Sequence, residues 1–257
     1  MKIPYFQVNS FTTALTGGNP AGVCLLEKWP KDRRLQEIAA SHLLPETAFV
    51  VPGEPKLRWF TPTTEVDLCG HATLATAHVL FHHRGEKAKD IRFDTRSGEL
   101  IVRRKNDAYE MDFPAKEAVE GHAPAGLTSA LGAQPNAVFN GHFLMCVLQD
   151  ETAVRELKPD LRELELMHAH AVLVTAPGDE CDFVSRFFAP RMGVPEDHVT
   201  GSAHCMLAPY WAGQLGKKTL RARQVSERGG EVECEVTGKR VLLRGHAVTF
   251  IEGEVHG

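Results

Sequence analysis

Two short segments place a glycine and small or reactive side chains directly before a long uncharged stretch. They are Cys69-Gly70-His71-Ala72 and Thr200-Gly201-Ser202-Ala203. If each stretch is a helix, its first N–H groups are unpaired and carry the positive end of the helix dipole. Glycine also lets a ligand come close to the backbone. Two such helix starts facing each other across a cleft would bind a small anion, most simply a carboxylate. Ordinary helix starts with small residues for packing remain the alternative.

Three titratable residues stand near these segments. Glu46 precedes an apolar run, where partial desolvation would raise the pKa of its carboxyl group and suit it to proton transfer. His71 falls in the first turn of the first helix, and Asp197 shortly before the second. Each also has a structural interpretation: a solvated turn glutamate, a core histidine bonded to the backbone, and an N-terminal cap.

Cys69 requires separate consideration. A thiol at a helix N-terminus has a lowered pKa and can act as a nucleophile or base. The matching position in the second segment is Thr200, so a mechanism with two thiols would lack its second thiol. A buried structural cysteine is the interpretation we favour.

Neither a metal nor a cofactor is expected. The 13 histidines include the pairs His82-His83 and His168-x-His170, but no group has a zinc spacing such as H-E-x-x-H. Walker and G-x-G-x-x-G loops are also missing, as is the G-x-S-x-G elbow of the serine hydrolases.

The composition is that of an ordinary globular protein. In 257 residues, 43% are apolar and 24% charged, with a net charge of −4, which argues against nucleic acid as the main partner. The longest uncharged stretch, residues 121–149, contains proline and several glycines, so no membrane helix is expected. Six scattered cysteines without C-x-x-C, and a first segment unlike a signal peptide, predict reduced thiols in the cytoplasm.

The chain contains an internal repeat. Arg58-Trp59-Phe60-Thr61-Pro62 matches Arg186-Phe187-Phe188-Ala189-Pro190, and Gly70-His71-Ala72 matches Gly201-Ser202-Ala203. A third match relates residues 96–100 to residues 228–232 in the same order and at nearly the same spacing. Shared turn chemistry is the alternative, but the three matches together favour a duplicated chain.

Two equivalent halves follow from the hydrophobic patterns. Residues 70–81 and 202–215 are almost uncharged on every face, which predicts one buried helix in each half, surrounded by strands. The predicted domains are residues 1–115 and 116–257, with residues 116–141 as the link. An alternating tail, residues 247–255, can cross to the N-terminal half as a strand. The expected class is α+β, with a mixed or antiparallel sheet curled around a central helix in each domain.

Several motifs together resemble the PhzF-like (phenazine biosynthesis) family over the full length of the chain. They are Gly18-Asn19-Pro20-Ala21, Pro45-Glu46-Thr47-Ala48-Phe49-Val50, Arg58-Trp59-Phe60-Thr61-Pro62, Leu68-Cys69-Gly70-His71-Ala72-Thr73 and Asp197-His198-Val199-Thr200-Gly201-Ser202-Ala203. The resemblance implies the diaminopimelate-epimerase-like fold, with two similar domains and an active site between them. It also implies a homodimer and a reaction without metal or cofactor.

The family's characterised member isomerises a dihydro-hydroxyanthranilate by moving a proton. By motif match, the resemblance implies Glu46 as acid/base, with His71 and Asp197 lining the site. It also implies that Gly201 and Ser202 hold the substrate carboxylate. The remaining predicted substrate-binding residues are Asn19, Gly70 and Ala72.

Three functions remain open at this point. The first is a cofactor-independent isomerase acting on a small carboxylate-bearing substrate. The second is an amino-acid racemase or epimerase using Cys69 or Glu46, since diaminopimelate epimerases carry a catalytic cysteine where Cys69 stands. The third is a non-catalytic protein that binds a small ligand.

Overall fold

Two almost uncharged segments form helices buried along most of their length, and each lies in its own compact unit. The computed structural model describes residues 2–256. The first unit comprises the chain up to Asp112 and from Arg244 onward, and the second comprises Phe113–Leu243. None of the helices within residues 2–256 is both long and apolar enough to cross a membrane.

The first unit contains a six-stranded mixed sheet and an antiparallel meander. Its helices are α1 (Asp32–His42) and α2 (Gly70–His78). Its strands are β1 (Lys2–Ser10), β2 (Asn19–Leu25), β3 (Glu46–Val50), β4 (Leu57–Phe60), β5 (Glu65–Val66), β6 (Asp90–Thr95), β7 (Gly98–Lys105), β8 (Ala108–Pro114, ending in the second unit) and β18 (Ala247–His256). The six-stranded order is β18-β1-β2-β3-β4-β5, in which β2 and β3 are parallel and α1 connects them.

The second unit repeats this plan with more strands. Its helices are α3 (Leu127–Leu131), α4 (Glu151–Arg155), α5 (Leu161–Leu166) and α6 (Gly201–Leu215). Its strands are β9 (Ala118–Gly121), β10 (Ala137–Gly141), β11 (Leu144–Val147), β12 (Val172–Pro177), β13 (Phe183–Ala189), β14 (Val194–Asp197), β15 (Thr219–Gln224), β16 (Gly230–Thr237) and β17 (Arg240–Gly245, ending in the first unit). The mixed sheet runs β9-β10-β11-β12-β13-β15-β16-β17, and β14 pairs with β13.

The repeated Arg-x-Phe motif makes the same contacts in both units. Arg58 on β4 binds both carboxylate oxygens of Glu65 at 2.7 Å, and its guanidinium lies 5.1 Å from the centre of the Phe60 ring. Arg186 on β13 binds Glu196 at 2.7 and 2.9 Å and lies 4.9 Å from the Phe188 ring centre. A planar guanidinium is suited to bidentate pairing and to stacking on a ring. The motif therefore builds equivalent supports for the strands that lead into α2 and α6.

The first buried helix changes from α- to π-helical geometry within the segment predicted from its apolar pattern, residues 70–81. The α-helix stops at His78, and Val79–His83 continue as a π-helix. The wider turn lets two histidines share one partner, because Nε2 of His78 and Nε2 of His83 lie 2.9 and 2.7 Å from the Thr249 hydroxyl. These long-range contacts outweigh the helical periodicity.

The prediction of a link at residues 116–141 was wrong. This segment contains β9, α3 and β10, and Leu127, Leu131 and Val138 are buried in the core of the second unit. Its proline and glycine residues separate short elements rather than forming a linker. The tail, by contrast, forms the strand that its alternating pattern predicted, and β18 pairs with β1 in the first unit.

Candidate active site

Glu46 lies at one end of three neighbouring strands of the six-stranded sheet, called here the sheet edge. Strands β2 and β3 are parallel and begin at this edge, with Ala21 opposite Glu46. Strand β1 is antiparallel to β2 and ends here, with Ser10 opposite Asn19. Glu46 is the first residue of β3, and the four residues after it are buried. The sheet therefore holds the Glu46 backbone firmly while its carboxylate stays half-buried at the edge.

The N-terminus of α2 lies against the same edge. The Ser10 hydroxyl donates a hydrogen bond of 2.7 Å to the backbone carbonyl oxygen of His71. Thr73 donates to the carbonyl oxygen of Cys69, the residue before the helix, at 2.6 Å through its hydroxyl and 3.1 Å through its backbone N–H. A side chain built on Gly70 would meet nothing within 4 Å, so the first residue of α2 borders open space.

Glu46, Cys69 and His71 converge at this helix start. Nε2 of His71 lies 3.2 Å from Oε2 of Glu46, and Nδ1 lies 3.5 Å from Sγ of Cys69. One ligand atom from each residue lies within 4.8 Å of the other two. The His71 side chain is 8% exposed and that of Glu46 is 18% exposed, so the cluster is largely shielded from water.

The buried surroundings set the protonation states of two members. Burial opposes the charge on His71, but the Glu46 carboxylate 3.2 Å away favours it and holds the pKa of the imidazole well above its usual value. Burial and, next, the Glu46 charge raise the pKa of the Cys69 thiol to about 11, against the opposing effects of His71 and the Ala72 N–H. A buried thiol with this pKa is protonated at neutral pH, which supports its interpretation as a poor base.

A second polar group surrounds the start of α6. The Thr200 hydroxyl donates to Oδ2 of Asp197 at 2.6 Å. The Gln224 amide accepts from the Thr200 backbone N–H at 2.8 Å and donates to the Asp197 carbonyl oxygen at 2.7 Å. Gln224 is fully buried on β15. This amide therefore fixes the short loop between Asp197 and the helix.

The other predicted substrate-binding residues differ in how deeply they are buried. Asn19 is fully buried at the start of β2, and Ala72 is buried in the first turn of α2. In the second unit, Gly201 is buried at the start of α6, whereas Ser202 is half-buried. Their roles toward a substrate remain predictions.

Several residues that position the site had no signal in local sequence motifs. Ser10 and Gln224 reach their partners across 61 and 24 residues of chain, respectively. A buried glutamine ending an otherwise alternating strand is the one available hint for Gln224. Arg58 and Arg186 were visible as a repeat, but their glutamate partners were not.

Comparison with known proteins identifies the chain. A sequence model described as phenazine biosynthesis-like protein matches residues 8–253. The chain belongs to this family. Two Pseudomonas aeruginosa relatives described as uncharacterized isomerases are 49% and 48% identical, and the alignments cover at least 99% of each chain. The crystal structure of an Enterococcus faecalis protein of the PhzF family is 43% identical, covers 100% of both chains and has a TM-score of 0.97.

The likeness extends in fold to more distant enzymes. A hydroxyproline epimerase from Agrobacterium vitis has a TM-score of 0.63 at 9% identity, covering 99% of this chain and 92% of the epimerase. This comparison confirms the predicted α+β class of the epimerase type. With relatives named as isomerases, the chain is an enzyme of the isomerase class, rather than a non-catalytic ligand-binding protein.

Proposed function

We propose that this protein is a cofactor-independent isomerase that moves a proton on a small carboxylate-bearing substrate, with Glu46 as the acid/base. The proposal depends on one observation above the others. A half-buried carboxylate lies 3.2 Å from an almost fully buried imidazole at the start of a buried helix. A base must be partly shielded from water yet reachable by a substrate carbon, and the 18% exposure of the Glu46 side chain supports this assignment.

In this proposal Glu46 removes a proton from a carbon next to a carbonyl or unsaturated group and returns it at another carbon. His71, whose pKa is raised, supplies positive charge beside the carboxylate as negative charge develops on the substrate. The N–H groups at the start of α2 supply further positive potential, and the open space at Gly70 allows a close approach. No step needs a redox partner.

The second unit is assigned a part in the same reaction. Asp197 would orient the substrate or shuttle the proton, and the α6 start at Gly201 and Ser202 would bind the substrate carboxylate. Gln224 and Thr200 support this role because they hold the Asp197 loop rigidly. Asn19, Gly70 and Ala72 complete the proposed substrate-binding set.

Epimerisation with Cys69 as a base is the less favoured alternative. Its thiol is buried and has a pKa of about 11, so little thiolate is present at neutral pH. At the equivalent position before α6 stands Thr200, whose hydroxyl is engaged with Asp197. Both observations favour a carboxylate base over a pair of thiols.

Deuterium uptake from solvent tests the proposal. Wild-type protein, Glu46→Gln and the exposed control Glu117→Gln are incubated in D₂O with dihydro-hydroxyanthranilate and a panel of cyclic and acyclic amino and hydroxy acids. Mass spectrometry and NMR should show deuterium in one substrate with wild type and the control, but not with Glu46→Gln. Movement of a double bond would indicate isomerisation, and inversion of a centre would indicate epimerisation. Uptake that persists in Glu46→Gln would reject the assignment of Glu46.

A further inference from the structure

The proposed proton transfer uses Glu46 and His71 but gives no part to the third member of the cluster, Cys69. Among residues 2–256, these three form the one group of three or more metal-ligating side chains whose donor atoms lie within 4.8 Å of one another. Carboxylate, thiolate and imidazole are the three ligand types that zinc uses in proteins. Magnesium and calcium prefer oxygen donors and are poorly matched to this set.

A buried nitrogen in the cluster is a second, independent observation. Nε2 of His71 has no hydrogen-bond partner within the described part of the chain. It lies 3.2 Å from Oε2 of Glu46, but without the alignment of a hydrogen bond. A buried nitrogen that is paired by charge but makes no hydrogen bond is available to a ligand that can approach it.

The spacing of the donors is compatible with an ion. Zinc binds nitrogen and oxygen at about 2.0–2.2 Å and sulfur at about 2.3 Å, so the ligand atoms of a tetrahedral site are roughly 3.3–3.7 Å apart. Two separations in the cluster are 3.2 and 3.5 Å. Because Nε2 faces the carboxylate and Nδ1 faces the sulfur, the His71 ring must turn to direct one nitrogen to the ion.

We propose that Glu46, Cys69 and His71 bind a thiophilic divalent cation, with Zn²⁺ as the representative ion, and that the bound ion blocks the site. The Cys69 thiol and the protonated His71 ring each release one proton to solvent as the sulfur–zinc and nitrogen–zinc bonds form, so that His71 binds as the neutral imidazole. Carboxylate and thiolate charges then balance the charge of the ion, and a fourth position remains for water. Blocking rests on the proposed function, since a coordinated Glu46 cannot act as a base, but metal binding does not.

Cobalt spectroscopy tests the site without any substrate. Protein freed of metal is titrated with Co²⁺, and a thiolate-to-cobalt charge-transfer band with strong visible bands is expected at one equivalent. Zn²⁺ should displace the cobalt, whereas Mg²⁺ should not. Cys69→Ser should abolish the charge-transfer band and weaken zinc binding by about 100-fold or more, because loss even of a group that only supports a ligand costs 10–100-fold.

Two further variants separate this site from other thiols. Cys181→Ser removes a half-buried cysteine outside the cluster and should leave both signals unchanged. His71→Asn should weaken zinc binding without removing the thiolate band. Circular dichroism confirms that each variant is folded.

The outcomes distinguish this proposal from the proposed function. Absence of the cobalt band in the wild type, or zinc binding unchanged in folded Cys69→Ser, would overturn the metal site. If the site binds zinc but deuterium uptake continues with zinc bound, the blocking claim is overturned. Should no substrate exchange deuterium at all, the spectroscopic result still decides whether the metal site exists.

Discussion

The Ser10 hydroxyl donates a hydrogen bond to the backbone carbonyl oxygen of His71, and the two atoms are 2.7 Å apart. Ser10 is the last residue of β1 and is fully buried. The bond ties the sheet edge that contains Glu46 to the first turn of α2. The relative position of the proposed base and its histidine therefore depends on a hydrogen bond to the backbone of His71 and not to its side chain.

Replacing Ser10 with alanine should loosen this connection. We expect Ser10→Ala to lower the free energy of unfolding by about 1 kcal/mol, the usual contribution of one buried hydrogen bond. Urea denaturation measures the change. Ser41→Ala is the matched control, because its hydroxyl donates to the Glu37 carbonyl oxygen on an exposed helix face and its loss should change stability by less than about 0.5 kcal/mol. Equal effects of the two variants would contradict this role of Ser10.

Gln224 should be essential to the loop that contains Asp197. Gln224→Leu leaves the Thr200 N–H and the Asp197 carbonyl oxygen without this amide, at a cost of roughly 1–3 kcal/mol for each group left unsatisfied. Thermal and urea unfolding should both show the loss. Gln134→Leu, at an exposed position, should stay within about 0.5 kcal/mol of wild type. A stable Gln224→Leu protein would show that the loop does not depend on this side chain.

Two buried histidines should make the protein unstable in acid. Burial, and then the neighbours His82 and His83, lower the pKa of His78 to about 4, and burial lowers that of His204 to about 4. The unfolded chain therefore binds protons more readily than the folded chain below the ordinary histidine pKa of about 6.5. The contribution of these two groups to stability should be constant above that pH and should fall steadily from about pH 6.5 to about pH 4, by about 1.4 kcal/mol per unit of pKa difference for each group.

Urea midpoints at pH 7, 6 and 5 test this prediction. His78→Asn should flatten the decline, since the variant loses one of the two histidines whose pKa values are lowered to about 4. His122→Asn changes an exposed histidine and should keep the wild-type decline. A decline of the same slope in His78→Asn would mean that other groups cause the acid sensitivity.

Gly70→Ala should impede the approach of a substrate without lowering the stability of the protein. The added methyl group meets nothing within 4 Å in the first unit, so stability should be unchanged or rise by up to about 1 kcal/mol. If a substrate approaches the start of α2, the same methyl group should reduce deuterium uptake by about tenfold or more, equivalent to 1.4 kcal/mol.

Gly213→Ala is the control for this pair of measurements. Gly213 lies in α6, where an added methyl group also meets nothing within 4 Å, so the change should again preserve or raise stability. Deuterium uptake should stay at the wild-type rate. Normal uptake in Gly70→Ala would show that the substrate does not approach this helix start.

Much of the secondary structure could be predicted from local pattern. The uncharged segments became α2 and α6, because burial of apolar surface dominates helix placement. The repeat also predicted two similar units before any fold was known. Local pattern failed in residues 116–141, where composition typical of a linker conceals three short elements held by core contacts.

For the candidate site, too, one part could be predicted from the sequence and another could not. The residue types and the order of Glu46, Cys69, His71 and Asp197 were legible in the sequence, since helix starts and turn residues have short-range signatures. The distances between their side chains could not be predicted from the sequence. The 3.2 Å approach of His71 to Glu46 joins two residues that are 25 positions apart in the sequence, and no local rule fixes such a distance.

By itself, therefore, the sequence determined the family, the duplication and the identity of the candidate residues. Only the tertiary structure decided that Cys69 is buried with a raised pKa, and that Ser10 and Gln224 hold the two helix starts. The physical reason is the distance along the chain over which each kind of interaction acts. Periodicity and capping act over a few residues, whereas burial and hydrogen bonding between distant strands depend on how the whole unit packs.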